Sequence, residues 1–333
     1  MHAYRILSQG ALENNPLIRQ ELPLPQPGPG QVLLRVLVCG VCHTDLHTLE
    51  GDIHPPFLPI TPGHQVVGVV EKLGAGIESP KVGVRVGVPW LHSTDQTCDY
   101  CLRGEENLCP NACFTGFHVD GGYAEYMLAQ AGFVLPLPPK INAEQAAPLL
   151  CAGIVGFRSL RKAELKPGER LGLAGFGASA HISLQVARYW GCSVYVFTRS
   201  AQHRRHALEL GAEWAGSTDQ TPPHLLDRAI LFAPDGRLVP TLLERIRPGG
   251  TLAINAIHTS PIPEMPYSLI YGERTLLSVA NATRRDGIEF LELAAKIPIH
   301  ATTRLYPLDQ ANQALMDLKF SRLNGEAVLK ISD

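Results

Sequence analysis

Residues 170–190 read RLGLAGFGASAHISLQVARYW. The first seven form a short apolar run that ends in glycine punctuation. The rest carry Ile182, Val186, Tyr189 and Trp190 at helical spacing until Gly191 stops them. The loop between is G-F-G-A-S-A, a G-x-G-x-x-G/A string made by Gly175, Gly177 and Ala180, in the strand–turn–helix setting this motif requires. Gly175 permits the tight turn, Gly177 lets the backbone approach a pyrophosphate, and Ala180 keeps the helix close to its strand. The helix N-terminus then presents N–H groups and a positive dipole end to phosphates. By itself the string also describes a bare structural turn; its setting points to a dinucleotide.

Downstream, SVYVFT (193–198), EWAG (213–216), RAILFA (228–233), TLAINA (251–256) and TLLSVA (275–280) read as further strands, with helical stretches between several of them. Six strands alternating with helices predict an α/β fold, a doubly wound parallel sheet of the Rossmann kind. Upstream the texture differs. The first 150 residues are rich in Pro, Gly and β-branched residues, and VLLRVLVCGV (32–41), QVVGVVEKLG (65–74) and RVGVP (85–89) read as strands separated by turns. From about 289 the patterning is mixed again, with a helix over 308–319 and a last strand, AVLKI. The expected division is a β-rich domain of residues 1–151 and 289–333 around a cofactor domain of 152–288; two domains also suit 333 residues.

The end of the second cofactor-domain strand selects the nucleotide. A carboxylate there would accept hydrogen bonds from the adenine ribose and favour NAD(H). The chain has Thr198, Arg199 and Ser200, with Arg204 and Arg205 one helical turn on. Arg199 can pair with a 2′-phosphate, assisted by Ser200 and Arg204, which favours NADP(H) over NAD(H). A solvated basic helix start is the plainer alternative.

With 45% hydrophobic and 18% charged residues, the composition suits a globular chain. The net charge of −2 and the lack of a basic run argue against nucleic-acid or anionic-membrane partners. No apolar stretch reaches the roughly 18 residues of a spanning helix, and MHAYRILSQG has no secretory pattern, so a cytoplasmic protein is expected. Eight cysteines, four of them within residues 98–113, then read as metal binding before disulfides. Cys39 and Cys192, in apolar contexts, read as buried small residues.

CGVCHTDLH (39–47), PGHQ (62–65) and LLCAG (149–153) each offer a metal ligand beside glycines or at a strand end. Two thiolates and one imidazole suit tetrahedral zinc with a fourth position open to water or substrate. Together with VCGVCHTDLH, PGHQVVGVVEKLG, VPWL, CDYCLRGEENLC, DGGYAEY and the glycine loop, these segments resemble the zinc-dependent alcohol dehydrogenases of the medium-chain dehydrogenase/reductase family over nearly the whole chain. The resemblance implies a GroES-like catalytic domain, to which the C-terminal segment returns, with the Rossmann domain between. It implies Cys42, His64 and Cys151 as catalytic zinc ligands, and a proton relay from the alcohol through the Thr44 hydroxyl and the nicotinamide ribose to His47. Asp45 is expected to accept a hydrogen bond from His64. His43 and Arg284 resemble pyrophosphate contacts, and Trp90 and Leu91 resemble substrate-pocket walls, although Trp90 also suits the core. Phe114 and Ile257 are further pocket candidates.

The chain departs from the family in two places. Gln65 stands where the family usually carries Glu after the zinc-binding His, which removes a negative charge near the metal. The structural-zinc pattern C-x2-C-x2-C-x7-C is met by Cys98, Cys101 and Cys109, with Asp95 in the first place. An Asp/Cys3 site is chemically sound. A site completed by Cys113, or a lobe of free thiols, are the alternatives. The expected activity is hydride transfer between NAD(P)(H) and a small primary or secondary alcohol or aldehyde, in a homodimer or homotetramer. The competing readings are a zinc-independent quinone or enoyl reductase, which would lack the Cys/His/Cys set, and a noncatalytic nucleotide-binding protein, which would lack Thr44 and His47.

Overall fold

The computed structural model describes residues 1–297, 299–323 and 325–332. The chain divides into two compact units. The first comprises Met1–Cys151, Asn281–Lys296 and Ala301–Asp333; the second comprises Ala152–Ala280 and Ile297–His300.

In the first unit, Gln31–Gly40 is the organising strand. It is buried on both faces over most of its length, as its near-continuous apolar run requires. It pairs antiparallel with Val66–Leu73, Tyr126–Gln130 and Glu326–Lys330. The seven-stranded sheet runs Thr303–Pro307, Glu326–Lys330, Gln31–Gly40, Val66–Leu73, Arg85–Val88, Leu135–Pro136, with Tyr126–Gln130 also on Gln31–Gly40. Register shifts at Leu33/Leu34 and Val36/Val38 bend the central pair. Val32, Leu34, Val36, Val66, Tyr123, Ala314 and Leu329 belong to one buried core. The C-terminal segment therefore completes this sheet. The expected late helix is a 3-10 turn, Leu308–Gln310, running into the α-helix Ala311–Lys319.

The division falls at 281, not at the expected 289, because 289 lies inside the helix Arg284–Lys296. That helix is tied to the first unit at its start. Arg284 donates from its backbone N–H to Glu106 Oε1 at 2.6 Å, and its guanidinium meets both Glu106 oxygens at 2.6–3.1 Å.

The second unit is a six-stranded, wholly parallel sheet in the order Trp214–Gly216, Ser193–Phe197, Arg170–Ala174, Leu226–Leu231, Ile246–Ile254, Thr275–Ser278. The order reverses at Arg170–Ala174, so the C-terminal end of that strand is the switch point where doubly wound sheets take ligands. The glycine loop leaves from there. One strand exceeds its expected range: 251–256 becomes Ile246–Ile254, through a Pro-Gly-Gly stretch that reads as a turn. A register shift between Leu226 and Arg228 on its partner accommodates the irregular start.

Candidate active site

Cys42 caps the N-terminus of the helix His43–Glu50, immediately after the central strand. Its N–H donates to Asp45 Oδ2 at 2.9 Å, which fixes the direction of this turn. The other Asp45 oxygen accepts from the Gly63 N–H at 3.0 Å, and the Tyr123 hydroxyl stands 3.4 Å from Oδ2. One buried carboxylate thus clamps the loops that carry Cys42 and His64. Gly63 has φ +102°, and a side chain there would run into the Tyr123 ring and come within 2.8 Å of Cys39 Sγ. The glycine before His64 is therefore required by backbone conformation and by packing. Cys151 lies in a single π-helical stretch, Leu149–Gly153, directly after Pro148. Proline has no N–H for the regular helical ladder, and wide turns of this kind are frequent at functional sites.

The Cys42, His64 and Cys151 ligand atoms all lie within 4.8 Å of one another. His64 is fully buried, and neither ring nitrogen has a hydrogen-bond partner. The expected bond to Asp45 is an ion-pair contact, Nδ1 to Oδ1 at 3.2 Å, without hydrogen-bond alignment. Burial opposes charge on this imidazole, but Asp45 and Cys42 outweigh it and push its pKa up to about 10. The Cys42 thiol is drawn well below its ordinary value by its contact with Cys151, against burial and with help from His64; the Cys151 thiol is pushed up by the same contact and by burial. Two thiols poised to share one charge, beside an imidazole whose Nε2 has no partner, fit a divalent metal that ionises both.

Thr44 is buried, with its Oγ1 3.8 Å from Cys42 Sγ. His47 follows one helical turn later, and its Nδ1 lies 2.7 Å from Asp52 Oδ2, a partner that sequence reading did not foresee. His43, on the same helix, has its ring 6.4 Å from that of His47, and burial lowers its pKa. Trp90 is half-buried, edge-on to His64 at 4.8 Å and stacked on Phe114 at 4.9 Å, with Phe117 at 5.9 Å. It leans on a metal-site histidine from a partly open face, which suits a pocket wall better than a core residue. Leu91 beside it is buried, and Ile257 is an exposed residue of the second unit. Arg284 is spanned by Glu106, donates from Nη1 to the Gly132 carbonyl at 3.0 Å and lies over the Phe133 ring at 4.1 Å. A phosphate would have to share this guanidinium with a carboxylate.

A second cluster forms from Asp95, Cys98, Cys101 and Cys109, again within 4.8 Å; among the described residues Cys113 does not join it. Asp95 Oδ1 accepts from the Thr97 and Cys98 N–H groups and Oδ2 from Asn111 Nδ2, which holds its carboxyl far below the usual carboxylate range. An ionised oxygen facing three thiols makes a closed four-ligand set. If this lobe binds zinc, Cys101→Ser lowers metal content from about two to about one per chain and reduces the melting temperature. Plasma emission analysis and thermal unfolding check both; one metal per chain in the parent protein rejects the second site.

In the second unit, Gly175 has φ +89° and its position would bring a side chain within 2.7 Å of the Ala233 N–H, whereas Gly177 faces open space. Thr198 is buried and Arg199 exposed. Ser200 caps the next helix by accepting from the His203 N–H at 3.2 Å. Arg204 Nη1 donates to the Thr198 and Arg199 carbonyls, both at 2.9 Å, so it shapes this turn.

A cysteine–histidine–cysteine cluster able to hold a metal lies in the β-rich unit, in one chain with a nucleotide-type parallel sheet, as in dehydrogenases of the medium-chain class. Residues 28–139 match the alcohol dehydrogenase GroES-like domain family. The chain is 46% identical to a probable alcohol dehydrogenase of Mycobacterium tuberculosis, over 99% of this chain and 97% of that protein. It is 33% identical to an alcohol dehydrogenase of Geobacillus stearothermophilus, over 94% and 95% of the two chains. A solved cinnamyl alcohol dehydrogenase of Sorghum bicolor superposes with a TM-score of 0.90 at 27% identity, covering 99% and 97%. The chain belongs to the medium-chain alcohol dehydrogenases. No helix among the described residues is long and apolar enough to cross a membrane.

Proposed function

We propose that this chain is a zinc-dependent, NAD(P)-linked alcohol dehydrogenase or aldehyde reductase whose catalytic metal is held by Cys42, His64 and Cys151. The observation that carries this reading is His64, fully buried beside two thiols, with Nδ1 against the Asp45 carboxylate and Nε2 without a hydrogen-bond partner. Such an imidazole is costly to fold unless a metal takes its lone pair. The alcohol dehydrogenase relatives support the activity.

Zinc bound there supplies Lewis-acid polarisation of an alcohol or carbonyl oxygen. The rest falls to the protein. Thr44 Oγ1, buried beside Cys42, both donates and accepts, so it can take a proton from a substrate hydroxyl and pass one on. His47, one helical turn on, offers an imidazole nitrogen to accept that proton, with its ring steadied by Asp52 at Nδ1. Trp90 shields the His64 edge from water. Zinc content together with NAD(P)H-linked turnover of simple alcohols and aldehydes tests the reading; turnover that survives complete chelation overturns it.

NADP(H) is the preferred cofactor in this account, because Arg199 is exposed where a carboxylate would select NAD(H). Arg199→Ala lowers kcat/KM for NADPH by about tenfold or more, the scale of one charge-assisted hydrogen bond, and leaves that for NADH within about threefold. Paired steady-state kinetics with both cofactors check this. A parent enzyme that prefers NADH rejects it.

A further inference from the structure

Glu326 opens the strand Glu326–Lys330, the segment that returns late in the chain to pair with the strand leading into Cys42. It is 3% exposed, and neither carboxylate oxygen has a hydrogen-bond partner. Its surroundings are specific. A side chain at Gly40 would come within 2.8 Å of Glu326 Oε1 and within 3.0 Å of Gln65 Cδ, so this glycine leaves the room in which Glu326 and Gln65 meet. Gln65 is likewise buried, with its Oε1 unpartnered. Burial raises the Glu326 carboxyl well above its ordinary range, the Cys42 charge adds to this, and the Gln65 amide and His64 oppose it.

A buried carboxylate with only a neutral amide beside it costs several kcal/mol unless a cation stands near. No lysine or arginine forms an ion pair with Glu326 among the described residues. The cation that the site is built to hold is the metal of Cys42, His64 and Cys151. We propose that Glu326 is a positioning residue for the catalytic metal, supplying from a distant strand the negative charge that Gln65 does not. The inference rests on the metal reading of the triad. Its physical content is simple: the carboxylate stabilises the dication behind its ligands and so slows its loss.

The test uses the full chain loaded with cobalt(II), which reports thiolate ligation by absorption. Release to a chelator is followed in the phase that a Cys42→Ser control lacks. Glu326→Gln, which keeps the shape and removes the charge, is expected to release this cobalt about tenfold faster and to shift its absorption bands. The double variant Gln65→Glu/Glu326→Gln returns a carboxylate to the same contact and is expected to restore release to within about twofold of the parent. A Glu326→Gln protein with a changed melting temperature but unchanged release and spectrum overturns the inference, leaving Glu326 a structural residue. Failure of the double variant to slow release also overturns it. If the parent itself shows no Cys42-dependent cobalt absorption, the metal reading of the triad has failed instead.

Discussion

Cys42→Ser should lose its catalytic metal and lower kcat/KM for alcohol oxidation by at least about 10³-fold, about 4 kcal/mol of transition-state stabilisation. The size follows from the small number of protein ligands. The ligand atoms of Cys42, His64 and Cys151 lie within 4.8 Å of one another, and a metal held by three such residues would keep its fourth position for substrate. Two remaining ligands cannot hold zinc with comparable affinity. The scaffold should survive, because the Cys42 N–H to Asp45 bond is kept and a serine hydroxyl can take the thiol's place in the capping box. Metal analysis, alcohol kinetics and thermal unfolding on the same preparation check all three parts. A variant that turns over alcohol at the parent rate with its metal lost would remove the triad from the chemistry.

Gly175→Val should weaken cofactor binding by about 100-fold or more, about 2.7 kcal/mol, while leaving metal content unchanged. Two costs add. A β-branched residue at φ +89° is strained by about 1–3 kcal/mol. Its Cβ would also press within 2.7 Å of the Ala233 backbone nitrogen on the strand-end loop across the switch point, where the partner is backbone and cannot give way. The loop must then move, and with it the N–H groups that the helix Ala178–Tyr189 presents to a pyrophosphate. NADPH fluorescence titration measures the effect. Cofactor affinity equal to that of the parent would show that the pyrophosphate does not rest on this loop.

The cofactor unit was legible in the sequence because its signal is local. Gly175, Gly177 and Ala180 lie within six residues, and the strands beside them are apolar runs at regular intervals. The proposed metal ligands stand out through their residue types in three short segments and through the family resemblance those segments carry. The unread parts are made by residues distant in the chain. Glu326 meets Gln65 only because the last strand returns to the first sheet. Tyr123 reaches Asp45 across 78 positions, and Glu106 holds Arg284 across 178. The Glu106 contact is one of those that tie residues 281–296 to the first unit, against a boundary set from texture alone. The π-helical stretch at Cys151 follows a buried proline whose effect on the next turn has no marker in hydrophobic periodicity. The family spacing alone favours Asp95 over Cys113, and the lobe brings that same set of four residues together.

The central claim, that Cys42, His64 and Cys151 hold the metal, is tested most directly by anomalous diffraction at the zinc absorption edge from crystals of the active enzyme. The account predicts a zinc peak at about 2.3 Å from both sulfurs and about 2.0–2.1 Å from a His64 ring nitrogen. Crystals of fully active enzyme with no anomalous peak at these three residues would contradict it.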